Sequence, residues 1–136
     1  MTVNEFVASY AAAFATYDAA TLANHFVYPV HVVGDTGGDP SIITATQDEW
    51  LAVLQRLLGA YRELGVVGAQ HGICTVTELG PAVKLASIHW TLQRADGSAV
   101  YGFQAWYTIV GSTGGLRISA ITHNELSALQ AALDRR

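Results

Sequence analysis

Histidine is the residue of this sequence best suited to acid–base chemistry. The chain has five histidines, whereas charged residues make up only 13% of its 136 residues. An imidazole titrates near neutral pH, so it can take up and release a proton under physiological conditions. Each of them can equally be a structural residue held by hydrogen bonds. The five are His25, His31, His71, His89 and His123.

Metal binding is a weaker interpretation of the same histidines. Zinc sites commonly contain closely spaced ligands, and neither an HxH nor an HxxxH pattern occurs in the chain. Only His71, His89 and His123, combined across strands, would supply three ligands. We therefore expect no metal and no other cofactor.

The first half of the sequence has the spacing of helices separated by short strands. Phe6, Tyr10 and Phe14 recur every fourth residue and form one apolar helix face. Thr46 and Glu49 have the arrangement of a capping box. The predicted elements are a helix over Asn4–Thr16, a helix over Ala19–Phe26, a strand over Val30–Val33, a loop over Gly34–Pro40, a strand over Ile42–Ile43, and a helix from Thr46 to near Gly65.

The second half changes to the periodicity of strands. Turn signals at Gly80-Pro81, Asp96-Gly97 and Gly111–Gly115 separate the extended runs, and Asp-Gly is the strongest hairpin signal among them. We therefore predict long strands joined by hairpins in a strongly bent antiparallel sheet. They are Val66–Leu79, Ala82–Arg94, Ala99–Val110 and Leu116–Thr122, followed by a short helix over Asn124–Leu133.

Apolar residues dominate the composition. They make up 51% of the chain, and a chain of this length fits a single domain, residues 1–136, with a sizeable core. The available polar surface is too small to cover a lone sphere of this size. We therefore expect a large internal cavity or a subunit interface to absorb the excess apolar area.

The charge pattern argues against several partners and locations. The net charge is −4, and the seven basic residues form no run longer than the pair Arg135-Arg136, which disfavours nucleic acid and anionic membrane surfaces. Polar residues interrupt every apolar run before it reaches the length of a membrane span. The first residues lack a basic segment, and the single cysteine, Cys74, suits a reducing compartment. We therefore expect a soluble, cytoplasmic protein.

The order of elements resembles the nuclear transport factor 2-like superfamily over nearly the whole chain. The stretches that carry the resemblance are Tyr10–Asp18, Tyr28-Pro29, Asp96-Gly97 and Leu116–His123. The resemblance implies an α+β fold with a strongly curved antiparallel sheet. This sheet wraps around N-terminal helices to form a cone, a cystatin-like roll, with a short C-terminal helix. The superfamily contains isomerases, cyclases, dehydratases and binding modules.

Alternation along the strands divides the sheet residues into two sets. One set mixes polar and apolar side chains, as ligand pockets do, and rough alignment with the steroid isomerase branch also puts it on the concave side. We assign this set to the pocket, and we assign Trp90, Phe103 and Tyr107 of the apolar set to a dimer interface. The inverse assignment stays open, because a helix-covered face can be the more apolar one. The mixed set comprises Ser87, His89, Thr91, Gly102, Gln104, Trp106, Ser119, Ile121 and His123.

The resemblance to the steroid isomerase branch also implies catalytic positions. Tyr10 falls where that branch has an oxyanion-binding tyrosine, and Asp35 falls close to the position of its carboxylate base. Trp106 stands where a protonated acid is expected, and an indole cannot replace that acid. We therefore expect chemistry other than steroid isomerisation.

Two kinds of function follow from these expectations. The first is proton transfer of the isomerase or cyclase type, with Asp35 or His123 as the base and Tyr10 as a hydrogen-bond donor. The second is a non-catalytic module that binds a small apolar or aromatic molecule, or that forms a homodimer through its apolar sheet face. The expected ligand-binding residues are His31, Trp50, His89, Gln104 and Trp106.

Overall fold

The structure is a computed structural model that describes residues 1–112 and 115–136. Its elements follow the predicted order and confirm the α+β class. The predicted turn over Gly111–Gly115 includes residues 113 and 114, which lie outside the described residues. The helices are α1 (Val3–Ala15), α2 (Ala19–Ala23), α3 (Gln47–Glu63) and α4 (Glu125–Arg135). The strands are β1 (Phe26–Gly34), β2 (Ser41–Ala45), β3 (Val66–Gly80), β4 (Val83–Arg94), β5 (Ala99–Ser112) and β6 (Gly115–His123).

The strands form one sheet in the order β2-β1-β6-β5-β4-β3. Neighbouring strands are antiparallel except β1 and β6, which are parallel. β1 lies in the helical first half of the chain, and the hairpins from β3 to β6 bring β6 back beside it. A parallel pair needs such a long connection, because a two-residue hairpin can join only antiparallel strands. The predicted antiparallel sheet is therefore present, with one parallel pair where the two halves of the chain meet.

Capping boxes set the start of two helices. Thr46 and Glu49 form the predicted capping box of α3, and Thr2 and Glu5 form another at the start of α1. Each box satisfies backbone N–H groups that have no partner inside the helix. Among the described helices, none is both long and apolar enough to cross a membrane.

The boundary between α2 and β1 differs from the prediction. The helix ends at Ala23 instead of Phe26, and Phe26 already pairs with Ile118 of β6. The backbone N–H of Ile118 also donates to the His25 carbonyl at 2.8 Å. Pairing with a distant strand therefore overrides the local helical spacing, because the strand satisfies the backbone groups that a longer helix would have used.

The helices cover the apolar set of sheet residues, so the assignment of the two faces made from the sequence is wrong. Trp90 and Tyr107 expose only 2% and 5% of their surface, and Leu92 on the same face is also buried. His89, on the other face of β4, is exposed. Covering the apolar face removes more apolar area from water, so Trp90, Tyr107 and the half-buried Phe103 belong to the interior and not to a dimer interface.

A bulge in β6 explains why His123 nevertheless faces the interior. The pairing of β5 with β6 shifts between Thr108 and Ile109, so that β6 carries one extra residue there. Ile118 and Ile121 are both buried, although a regular strand would point their side chains to opposite faces of the sheet. The alternation therefore reverses along β6, and His123 shares the interior face with Ile121.

Candidate functional site

The interior face of the sheet and helices α1, α3 and α4 enclose a cavity. Its volume is about 60 Å³. Most of its wall is aromatic or aliphatic, whereas Glu125 and His123 contribute acid–base groups. The aromatic lining includes Tyr10, Phe14, Trp50, Tyr61, Trp90 and Tyr107.

Glu125 is the buried acid of this cavity. It is the first residue of α4, and 6% of its surface is exposed. The hydroxyls of Tyr61 in α3 and Tyr101 in β5 both donate to its Oε2, the second at 2.7 Å. Burial raises the pKa of the Glu125 carboxyl, and the two tyrosine hydrogen bonds partly offset that rise.

The tyrosines around this acid stay protonated. Burial, followed by the nearby Glu125 carboxyl, raises the pKa of Tyr61 and of Tyr101 above the ordinary value of 10.0. Both hydroxyls therefore act as donors. Within the described residues, the hydrogen bonds of the Glu125 carboxyl all go to Oε2, which leaves Oε1 available to a group in the cavity. The cluster is thus an acid with one oxygen held in place and the other able to exchange a proton.

His123 is a neutral partner next to this acid. Its Nδ1 accepts the backbone N–H of Glu125 at 3.1 Å, so the neutral ring carries its proton on Nε2. Burial lowers the pKa of His123, which favours the neutral form. This imidazole can therefore offer a single N–H donor while its other nitrogen holds the start of α4.

A second polar contact lies deeper among the aromatic rings. The indole N–H of Trp90 donates to the Tyr107 hydroxyl at 2.8 Å, and the Tyr10 ring packs edge-on against both, at 6.1 Å and 5.9 Å between ring centroids. Burial, and then the neighbouring Tyr107, raises the pKa of Tyr10 well above its ordinary value. The Tyr10 hydroxyl is therefore a donor and cannot act as a base at neutral pH.

Trp50 lines the cavity and carries an unpaired indole N–H. It lies in the first turns of α3, exposes 5% of its surface and packs edge-on against Phe26 at 5.4 Å. Its Nε1–H is buried and has no acceptor in the part of the chain that the structure describes. A buried donor left unpaired costs about 1–3 kcal/mol of stability.

The sequence-predicted site residues fall into two groups. Tyr10, Trp50 and His123 line the cavity. Their roles as hydrogen-bond donor, ligand-binding residue and base stay predictions. Asp35 lies in the exposed loop after β1, where its Oδ1 accepts the Gly37 N–H at 2.8 Å. Asp35, the predicted base, therefore does not face the cavity, because its carboxylate closes its own turn.

The remaining predicted ligand-binding residues lie away from the cavity. His31 is exposed on β1, with its Nδ1 at 3.0 Å from the Thr44 hydroxyl. His89, Gln104 and Trp106 belong to the outer face of the sheet, where 49% of the Trp106 surface is exposed. His89, Gln104 and Trp106 were predicted because the mixed set of sheet residues had been assigned to the pocket. His31 was predicted from its position in the first strand. Among the described residues, no group of three or more His, Cys, Asp or Glu side chains could hold a metal ion.

Comparison with known proteins identifies the family. Residues 2–126 match the family model described as NTF2-like protein (DUF6841). The chain belongs to this family. No curated protein matches it significantly. The predicted superfamily is therefore confirmed at the level of the family model.

Solved structures share the NTF2-like fold with this chain. An NTF2-like protein with a cystatin-like fold from Novosphingobium aromaticivorans has a TM-score of 0.70 and 19% identity, over 96% of this chain and 86% of that one. Aln2 from a Streptomyces species has a TM-score of 0.71 and 18% identity, over 98% and 93%. A ketosteroid isomerase-like protein from Erwinia carotovora atroseptica has a TM-score of 0.65 and 14% identity, over 90% and 92%. At these identities the likeness shows the fold alone, and it confirms the cystatin-like roll.

Three residues of this NTF2-like site were missed by sequence reasoning. Glu125 falls in the first turn of the predicted last helix, where acidic residues are common, and Tyr61 and Tyr101 fall at positions where core aromatics are common. Their hydrogen bonds join positions that are 64 and 24 residues apart. A usable signal is the sequence His123-Asn-Glu125 at the end of the last strand, because it sets an acid beside a histidine at the rim of the sheet.

Replacing His123 with asparagine tests the neutral, acceptor form of this histidine. The lowered pKa means that the His123 side chain binds its proton more tightly in the unfolded chain, so the contribution of His123 to wild-type stability falls as the pH drops through the ordinary histidine value of 6.5 and levels off below the folded pKa. Asparagine offers its Oδ1 to the Glu125 N–H but does not titrate. We expect urea titrations between about pH 8 and about pH 5 to show a smaller acid-side loss for His123→Asn. An equal pH slope in both proteins would contradict this assignment.

Proposed function

We propose that this NTF2-like protein binds a small, largely apolar or aromatic molecule in its cavity and moves a proton on it, as isomerases and cyclases do. The observation that carries the proposal is Glu125. It is a buried acid with a raised pKa, one oxygen bonded by two tyrosines and the other available, in an otherwise mostly apolar cavity. A raised carboxyl pKa brings the group closer to neutral pH, where a general base is most effective.

The proton transfer can be written for a bound ketone that has a carbon–carbon double bond between its β and γ carbons. Glu125 Oε1 takes a proton from the α carbon, and the electron pair of that C–H bond forms a dienolate with its charge on oxygen. Glu125 then returns the proton to the γ carbon, the carbonyl re-forms, and the double bond comes to lie between the α and β carbons. The tyrosine bonds to Oε2 stabilise the carboxylate before and after the step, and the His123 Nε2–H is suited to donate to developing negative charge.

The likeness to a ketosteroid isomerase-like protein supports this proposal only through the fold. The acid of the present chain, Glu125, lies at the start of α4. Asp35, at the position expected from the steroid isomerase branch, instead accepts the Gly37 N–H within its own loop. A proton-transfer reaction in this cavity would therefore use a base on a different element of the same fold. The competing interpretation is a cavity that binds a similar molecule without turning it over.

Glu125→Gln separates these two interpretations. Glutamine has the size of the glutamate side chain and keeps one oxygen that accepts the tyrosine hydrogen bonds, but it cannot take up the proton of the substrate. We expect wild type to convert 3-cyclohexenone into the conjugated 2-cyclohexenone, followed by ultraviolet absorbance, and the variant to be slower by about 100-fold or more. Affinity for 2-cyclohexenone should change by less than about threefold.

Glu78→Gln is the matched control, because Glu78 is an exposed glutamate on β3. It should leave both the rate and the affinity unchanged. If 2-cyclohexenone binds to wild type while neither protein isomerises 3-cyclohexenone above the buffer rate, the cavity is a binding site and the proton-transfer proposal is wrong.

A second candidate, self-association, is favoured by the outer face of the sheet. We propose that a second copy of this chain covers the shallow groove there, which has a volume of about 400 Å³. Trp106 and Leu85, with 49% and 41% of their surfaces exposed, supply apolar area in it. The other side chains of the groove are largely hydroxyl-bearing, as with Thr75, Thr77 and Thr108. Hydroxyls both donate and accept, so the same surface can pair with itself across a two-fold axis.

Trp106→Lys tests this interface. A tryptophan at the centre of an interface commonly contributes about 2 kcal/mol or more, so sedimentation equilibrium should show the dimer dissociation constant raised by roughly thirtyfold. Ile42→Lys is the control, since Ile42 is 70% exposed but lies on β2 at the opposite edge of the sheet. A wild-type protein that stays monomeric, or a Trp106→Lys protein that associates as well as wild type, would refute the candidate interface.

A further inference from the structure

Ser9 and His25 form a hydrogen-bonded pair on the exposed side of α1, away from the cavity. The Ser9 Oγ lies 3.0 Å from Nε2 of His25, and Nδ1 of the same ring lies 3.0 Å from the Thr21 carbonyl oxygen. Neither Ser9 nor His25 lines the cavity around Glu125. The pair is therefore separate from the site of the proposed proton transfer.

The partners of the imidazole fix the direction of both hydrogen bonds. A carbonyl oxygen can only accept, so Nδ1 of His25 carries a proton and donates to Thr21. In the neutral ring Nε2 then has no proton, and it accepts the O–H of Ser9. A hydroxyl bonded to an imidazole, which is itself oriented by an acceptor, is the arrangement in which a base activates a serine nucleophile.

Packing holds the base in place and leaves the nucleophile accessible. The His25 ring is half-buried, and its centroid lies 5.6 Å from the ring centroids of both Phe6 and Tyr10. Ser9 is exposed, so its hydroxyl can meet a reagent from solution without a change in the fold. The Thr21 carbonyl belongs to the last turn of α2, and a peptide oxygen there stabilises the imidazolium that forms when His25 takes up a proton.

We propose that Ser9 is an acyl-acceptor nucleophile with His25 as its general base. In this step Ser9 Oγ attacks the carbonyl carbon of an acyl donor while the hydroxyl proton passes to His25 Nε2. The tetrahedral intermediate then expels the leaving group, which takes the proton from His25, and Ser9 remains as an acyl ester. The carbonyl carbon thus exchanges its bond to the leaving group for a bond to Ser9 Oγ, and the step needs no oxidant or reductant.

The backbone around Ser9 limits the donor to an activated ester or thioester. Ser9 lies in the middle of α1, where each N–H is bonded to the carbonyl four residues earlier. These N–H groups are not available to stabilise the negative oxygen of the tetrahedral intermediate, as an oxyanion hole does. A good leaving group must lower the barrier instead, so peptides and alkyl esters are excluded as donors.

Acetylation by p-nitrophenyl acetate tests the proposal on the whole chain. The reaction would be run in mildly alkaline buffer and stopped with acid at a series of times, and the acetyl groups would be located by mass spectrometry of digests. Ser127 is the internal control, because it is an exposed serine of α4 whose hydroxyl has no histidine partner among the described residues.

We expect Ser9 to be acetylated faster than Ser127 by about tenfold or more, because a positioned base assists only Ser9. His25→Phe keeps an aromatic ring between Phe6 and Tyr10 but has no base, so Ser9 of this variant should react at the rate of Ser127. Ser9→Ala should carry no acetyl group at position 9 and should leave the rate at Ser127 unchanged.

A second measurement examines the base directly in the wild-type protein. ¹⁵N NMR of labelled histidine distinguishes protonated from unprotonated ring nitrogens, and the signals of His25 can be identified through its contacts with the rings of Phe6 and Tyr10. We expect the neutral His25 ring to be protonated at Nδ1 and unprotonated at Nε2.

Equal acetylation of Ser9 and Ser127 in wild type would overturn the proposal, and so would a neutral His25 ring protonated at Nε2. Rapid acetylation of Ser9 that persists in His25→Phe would also overturn it, because the base would then not be His25. The first two results are obtained on wild type and do not depend on how well the variant folds.

Discussion

The carboxyl of Glu125 is held by two tyrosine hydroxyls inside a largely apolar interior, and the arrangement of the site depends on that contact. A carboxyl buried without partners would be strongly destabilising. Tyr61 from α3 and Tyr101 from β5 satisfy it and thereby tie the start of α4 to the helical layer and to the sheet. The backbone N–H of Glu125 then fixes His123 through its Nδ1. One buried cluster therefore positions the acid, the histidine and the helix that closes the cavity.

The fold could be predicted well from the sequence, because its signals are local. Capping at Thr46, the Asp96-Gly97 hairpin and the switch from helical to strand spacing each act over a few residues, and all three correspond to observed elements. What failed depends on distant partners. Phe26 joins β1 because Ile118 pairs with it, and the parallel pairing of β1 with β6 joins strands from opposite ends of the chain.

The site could be predicted only in part, because alternation separates two faces without saying which one the helices cover. The mixed set looked like a pocket lining, yet His89, Gln104 and Trp106 face outward and Trp90 faces inward. His123 reaches the cavity through a bulge that simple alternation does not reveal. Burial of the apolar set removes more apolar area from water than burial of the mixed set. This comparison predicts that the helices cover the apolar set and that Trp90 lies beneath them.

The measurement that tests this account most directly is the titration of the Glu125 carboxyl by ¹³C NMR. We expect a pKa above the ordinary glutamate value of 4.5, because burial outweighs the two hydrogen bonds. We also expect a further rise of this pKa in Tyr101→Phe, which removes one of those bonds. Tyr28→Phe, whose hydroxyl donates to the Ala23 carbonyl, should leave the titration unchanged. A Glu125 pKa at or below 4.5, or one that Tyr101→Phe does not move, would contradict the buried acid at the centre of the site.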